Sequence, residues 1–131
     1  MPDKAGAGLA DASPARVSGV AAVDEAHFAH AGIESFAAYG RLDGLVDLAS
    51  RVWRGRGLGD FWMHVLVAEG CFDAAAECIV NPWDVAAIQV VVEEAGGRFS
   101  DLEGRPGFEG GSALSTNGLL HDQVLAALRP R

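Results

Sequence analysis

Apolar positions along the chain fall into short runs whose spacing alternates between strand-like and helical. Arg16 to Val23 predicts a first strand, interrupted by Ser18 and Gly19. Ile33 to Tyr39 predicts a short helix. Leu42 to Trp53 predicts a longer one, because Leu42, Leu45, Val46, Leu48 and Ala49 recur near helical spacing. The turn residues Gly57, Leu58, Gly59 and Asp60 precede an apolar helix over Phe61 to Glu69, with Asp60 placed to cap its start and Gly70 to end it. Phe72 to Val80 reads as a strand broken by Asn81-Pro82. Trp83 to Ala95 is apolar almost throughout, which predicts a buried helix stopped by Gly96-Gly97. Short strands over Arg98 to Leu102 and Gly111 to Thr116 follow, then a last helix from Leu119 to Leu128. Strands alternating with helices predict an α/β layer architecture with a mixed sheet flanked by helices.

The length agrees with one domain. At 131 residues the chain has room for a single core. Residues 1–15 are Ala, Gly, Asp, Ser and Pro without periodicity and read as a flexible lead, leaving 16–131 as the domain. Apolar runs such as Val90-Val91-Val92 fall far below the ~18 residues of a membrane helix. No membrane partner is expected. The start, Met1-Pro2-Asp3-Lys4, carries no secretory pattern, so the expected compartment is the cytoplasm.

A net charge of −8 argues against nucleic-acid backbone as a partner. It suits divalent metals and cationic ligands instead. Cys71 and Cys78 form neither a disulfide framework nor a zinc pattern, and their apolar surroundings predict two buried thiols.

The segment from Glu77 to Ala87 is the densest in candidate chemistry. A strand delivers Glu77, a proline turn follows, and Asp84 stands in the first turn of a helix. A carboxylate there is favoured by unpaired N–H groups and by the helix dipole. It serves either as a structural cap or as an ionised oxygen ligand of the kind Mg²⁺ takes.

The run Trp83-Asp84-Val85-Ala86-Ala87, continuing through an apolar stretch to Glu94-Ala95-Gly96-Gly97, resembles the C-terminal signature of the inositol monophosphatase superfamily. The similarity extends upstream through Arg56-Gly57-Leu58-Gly59-Asp60-Phe61-Trp62 and Leu66 to Gly70, and downstream through Gly110 to Ala113 and Thr116 to His121. Gly-Asp-Phe-Trp together with the later run looks most like histidinol-phosphate phosphatases.

The resemblance implies the C-terminal half of a layered, sugar-phosphatase-like α/β fold and Mg²⁺-dependent hydrolysis of a phosphate monoester, histidinol phosphate in histidine biosynthesis. It implies Asp84 as a metal ligand that also approaches substrate, and Glu77 and Asp60 as substrate contacts. Read from the residues alone, Arg54 and Arg56 meet either phosphate or solvent, with Arg56 the better substrate-binding candidate because it adjoins the Gly59-Asp60 turn. The family's other half normally supplies a Glu near a Gly-x-x-x-His-Glu-like stretch and an Asp-Pro-x-Asp-Gly-Thr run, and neither motif is found in this sequence. The expected partners are therefore a small phosphorylated substrate and either a second copy of the chain or a missing N-terminal half. The rival readings are a phosphatase of the same fold acting on inositol phosphate or on another sugar or nucleotide phosphate, and a non-catalytic remnant that binds or dimerises.

Other residues are weaker candidates. His27 and His30 form at most a poor metal pair, and His64 reads as a core or interface histidine on an apolar helix. Ser112, Ser115 and Thr116 match no nucleophile motif, and strand or cap roles are expected. Trp53, Trp62 and Trp83 read as core, and the glycine-rich Gly107 to Gly111 lacks the Lys-Ser/Thr of a phosphate loop.

Overall fold

The computed structural model describes residues 14–59 and 61–131. Its strands are β1 (His27–His30), β2 (Arg54–Gly57), β3 (Ala74–Glu77), β4 (Arg98–Ser100) and β5 (Ala113–Thr116). Its helices are α1 (Ile33–Ala38), α2 (Leu42–Arg51), α3 (Trp62–Ala68), α4 (Pro82–Glu94) and α5 (His121–Ala127). One five-stranded mixed sheet runs in the order β2-β1-β3-β5-β4. β1 is parallel to β2 and to β3, while β5 is antiparallel to both β3 and β4.

Helices cover both faces, which sorts the strand residues by parity. Phe28, Ala74, Ala76 and Leu114 pack in one cluster with Leu45 and Leu48 of α2 and Val124 and Ala127 of α5. On the opposite face Ala29 and Ala75 pack with Met63 and Val67 of α3, and Ala113 and Phe99 with Val85, Ile88 and Val92 of α4. Alanine is a poor strand former in isolation, yet β3 contains Ala74, Ala75 and Ala76. All three are buried. As a central strand with helices above and below, β3 gains from side chains small enough to let both layers close onto it. The α2–α5 contact is closer still. A Cβ on Gly44 would stand 2.0 Å from the Ala127 carbonyl oxygen, so this crossing requires glycine.

Several sequence expectations meet corrections. Arg16 to Val23 forms no strand. Its polar groups are satisfied singly, with Val17 N–H donating to the Ala95 carbonyl at 3.0 Å and Asn117 Nδ2 donating to the Val20 carbonyl at 2.7 Å. The segment instead lays Val17 on one core cluster and Val20 and Val23 on the other. The first strand is instead β1, whose four-residue His-Phe-Ala-His stretch carries no alternation signal. β2 is Arg-Gly-Arg-Gly and exposed throughout, held on the sheet edge by its ladder to β1 rather than by burial. The Cys71 thiol is exposed and only Cys78 is buried, because Cys71 follows the end of α3 in a turn. That turn depends on Gly70, whose φ of +78° is the left-handed conformation glycine adopts freely. The predicted flexible lead lies largely outside the described residues.

The helix predicted to be buried all round is covered on one face only. In α4, Val85, Ile88 and Val92 are buried, while Trp83 is 77% exposed and Val90 59% exposed. Its apolar outer face is matched by exposed Phe61 and Trp62 at the start of the neighbouring α3. Trp53, on the other side of the sheet edge, is exposed too, so none of the three tryptophans is a core residue.

Candidate active site

The parallel strands β2, β1 and β3 end along one edge of the sheet at Gly57, His30 and Glu77. In open α/β sheets, ligands bind outside the carboxyl ends of the strands. A shallow open depression lies at this edge, lined by His30, Ile33, Gly57, Leu58 and Gly59. Helix α4 carries the chain from the end of β3 to the start of β4, so its first turn, with Asp84, belongs to the same edge.

Asp84 is exposed and stands in that first turn after Pro82 and Trp83. Its one hydrogen-bond partner among the described side chains is Asn81, whose Nδ2 donates to Oδ2 across 3.4 Å. The helix entrance is closed by backbone, with Asp84 N–H donating to the Asn81 carbonyl at 2.9 Å. No side-chain cap is made at Asn81. The Asp84 carboxylate is therefore an accessible oxygen donor near a positive helix end. It fits one position of a Mg²⁺ site, since Mg²⁺ commonly takes one or two carboxylates together with waters and phosphate. Among the described residues no group of three or more His, Cys, Asp or Glu side chains is placed to hold a metal.

Glu77 is held from below. His64, on α3 and fully buried, donates from Nε2 to Glu77 Oε2 at 2.7 Å. Its other nitrogen, Nδ1, lies 2.7 Å from Ser115 Oγ on β5. A carboxylate only accepts, so Nε2 carries the proton in that bond, while Nδ1 and the Ser115 hydroxyl hydrogen-bond to each other. The strand role expected of Ser115 holds, and its hydroxyl is engaged by His64 as well. The chain Ser115–His64–Glu77 has the connectivity of a nucleophile triad, but Ser115 is completely buried within the sheet, out of reach of a substrate. Sequence spacing hid this set, because the three residues lie on α3, β3 and β5 and meet only when the sheet forms.

Arg56 and Asp60 stand differently. The Arg56 Nε donates to His27 Nε2 at 3.2 Å, at the start of β1 and thus at the opposite end of the sheet from Glu77. The structure does not bring Arg56 together with Glu77 or Asp84. Burial against Phe72, whose ring stacks at 3.8 Å, lowers the His27 pKa, and the Arg56 charge adds to that lowering. His27 and His30 fall on opposite faces of β1, as residues three apart on a strand must, and make no metal pair. Asp60 lies outside the described residues.

A second buried histidine, His121, mirrors His64 on the far face of the sheet. Ser100 Oγ spends its proton on the Asp101 carbonyl at 2.8 Å, so it accepts from His121 Nε2 at 2.7 Å. Thr116 Oγ1 then donates to Nδ1 at 2.9 Å, which satisfies the neutral ring completely. Burial, with the Arg98 charge in addition, pushes the His121 pKa down to about 4. The unfolded chain takes up this proton below about pH 6.5 and the folded chain resists it to about pH 4, so stability falls as pH drops through that window. Between about pH 7.5 and about pH 5 the expected loss is about 2 kcal/mol. Urea melts of the chain and of His121→Asn, which cannot titrate, check this. An equal loss in both would assign the acid sensitivity elsewhere.

Comparison with known proteins gives the family and the fold. The model of the inositol monophosphatase family matches residues 15–130. The chain belongs to the inositol monophosphatase family. It is 44% identical to a histidinol-phosphatase of Streptomyces coelicolor, over 96% of this chain and 47% of that protein. It is 47% identical to the histidinol-phosphatase of Mycobacterium tuberculosis, over 86% of this chain and 43% of that protein. Among solved structures, the Thermotoga maritima IMPase superposes with a TM-score of 0.78 at 28% identity, covering 88% of this chain and 45% of its own. The inositol monophosphatase of Anabaena gives 0.78 at 25% identity, over 90% and 48%. The chain thus spans about half the length of these family members. No described helix is long and apolar enough to cross a membrane.

Proposed function

We propose that this chain supplies one side of the active site of a Mg²⁺-dependent phosphatase that hydrolyses histidinol phosphate in histidine biosynthesis. The observation that carries the reading is the placement of Glu77. It ends a parallel strand at the ligand-binding edge, with Oε2 committed to His64 and Oε1 without a hydrogen bond among the described residues. An anchored carboxylate of this kind suits a leaving group that bears an ammonium and an imidazole. The names of the histidinol-phosphatase relatives support that substrate over inositol phosphate.

In this reading Asp84 is one ligand of the metal, and the remaining ligands come from the part of the family's length that this chain does not cover. A bound Mg²⁺ supplies charge neutralisation on the phosphoryl group and an activated water. A fold neighbour, an IMPase/NADP phosphatase, was solved with Mg²⁺ and phosphate. Glu77, with Asp60 beside the turn before α3, orients the amine end of the substrate. For Arg56 to meet phosphate, its guanidinium must leave His27. The outer apolar face of α4 and α3 is the surface that receives the complementary half, and self-association is the alternative use of that surface. The expected setting is the cytoplasm.

Selectivity tests the reading. The assembled enzyme is obtained by co-expressing this chain with the part of the Streptomyces coelicolor relative that it does not cover. Glu77→Gln or Asp60→Asn should lower kcat/KM for histidinol phosphate about tenfold or more relative to a phosphate ester with a neutral leaving group, since a charge-assisted hydrogen bond is worth roughly 1.5–3 kcal/mol. Equal losses on both esters would assign these residues to folding or metal binding.

A further inference from the structure

We infer that His64 is a positioning residue for the substrate site: buried between Ser115 and Glu77, it fixes the orientation of the Glu77 carboxylate and thereby sets selectivity for a cationic leaving group. The inference rests on the reading of Glu77 as a substrate contact and goes beyond it by adding a residue that touches no substrate.

The geometry carries it. His64 is completely enclosed between α3 and the sheet, and both ring nitrogens are engaged at 2.7 Å. Met63 and Val67, on the same helix, are fully buried with it, so the ring's backbone cannot shift without disturbing that core cluster. Phe99 borders it, with ring centroids 6.5 Å apart. Ser115 pairs directly with Ala75, two residues before Glu77 on the neighbouring strand, so the hydroxyl that orients the ring is itself fixed by the ladder.

Glu77 is in a different position. It is the last residue of β3, only partly buried, and His64 is the one hydrogen-bond partner of its side chain among the described residues. A glutamate has three side-chain torsions. Without His64, a terminal strand glutamate samples several rotamers, and a substrate ammonium must then pay for ordering it. With one oxygen tied to a rigid donor, the other is presented in a single place. Preorganisation of this kind is expressed in discrimination between substrates rather than in general activity.

The test uses the assembled enzyme described above and compares His64→Ala, His64→Gln and Glu77→Gln. The readout is the ratio of kcat/KM for histidinol phosphate to that for a neutral phosphate ester. His64→Ala should lower this ratio about tenfold, close to the effect of Glu77→Gln, and the double variant should fall little further because both changes remove one unit. His64→Gln, whose amide N–H replaces the Nε2 donor, should restore most of the ratio. Ser115→Ala should lower it less, about fivefold at most, the effect of a neutral hydrogen bond. If Glu77→Gln lowers the ratio and His64→Ala does not, the inference is wrong while the Glu77 reading stands. If neither lowers it, the Glu77 reading itself fails. A measurement on the 131-residue chain tests the underlying His64–Glu77 bond independently of activity. Nitrogen NMR should find the His64 proton on Nε2, with a resonance that moves in Glu77→Gln, whereas a proton on Nδ1 alone would overturn the inference.

Discussion

Replacing Asp84 by asparagine in the assembled enzyme should lower kcat at least ~10²-fold, the scale seen when one element of transition-state charge stabilisation is removed. The melting temperature should barely move. The substitution keeps size and leaves the helix entrance intact, because that entrance is closed by the backbone bond from Asp84 N–H to the Asn81 carbonyl. The side chain itself is exposed and contributes a single 3.4 Å contact with Asn81. Its charge near the helix start is worth roughly 0.3–1 kcal/mol, which sets the ceiling on lost stability. Paired turnover assays and thermal melts separate the two roles. Retained turnover with a lowered melting temperature would make Asp84 a helix-end charge and remove it from the metal site.

The second large effect concerns the 131-residue chain without a complement. It should hydrolyse no histidinol phosphate and bind Mg²⁺ only weakly, because among its described residues no three ligating side chains converge. One carboxylate does not hold an ion that demands near-octahedral oxygen coordination. The chain should also self-associate through the exposed Trp83, Val90, Phe61 and Trp62. Co-expression with the remaining part of the Streptomyces coelicolor relative should cover this face, suppress self-association and raise activity from background. Calorimetry showing micromolar Mg²⁺ binding, together with turnover by the chain alone, would contradict this. Asp24 and Glu25, with either His27 or His30 but not both, would then be the residues to test as further ligands.

Helices proved the most legible elements. α2 and α4 begin and end close to where spacing, Pro82 and the Gly96-Gly97 pair place them. Strands were legible where a run with strand propensity met a turn, as at β3, β4 and β5. β2 carries two arginines and two glycines, and nothing local distinguishes it from a loop. Its strand conformation is imposed by hydrogen bonds to β1, a partner more than twenty residues away. The burial of α4 was overestimated for a related reason. Composition reports how apolar a helix is, but not how many of its sides find a neighbour within the same chain.

The candidate site divides along the same line. Glu77 and Asp84 were visible because a strand end, a proline turn and a helix start follow one another within a few residues, and the chemistry of a helix start is local. The family resemblance rests on the same contiguous run. The buried sets Ser115–His64–Glu77 and Ser100–His121–Thr116 were not visible, since each joins residues from three elements across strand pairings that sequence spacing does not encode. Local order determined which groups stand at the carboxyl end of the parallel strands. Which of them are anchored, which histidine stays neutral and which apolar face remains uncovered followed from packing two helical layers onto one sheet, because hydrogen-bond satisfaction and burial are properties of the assembled layers.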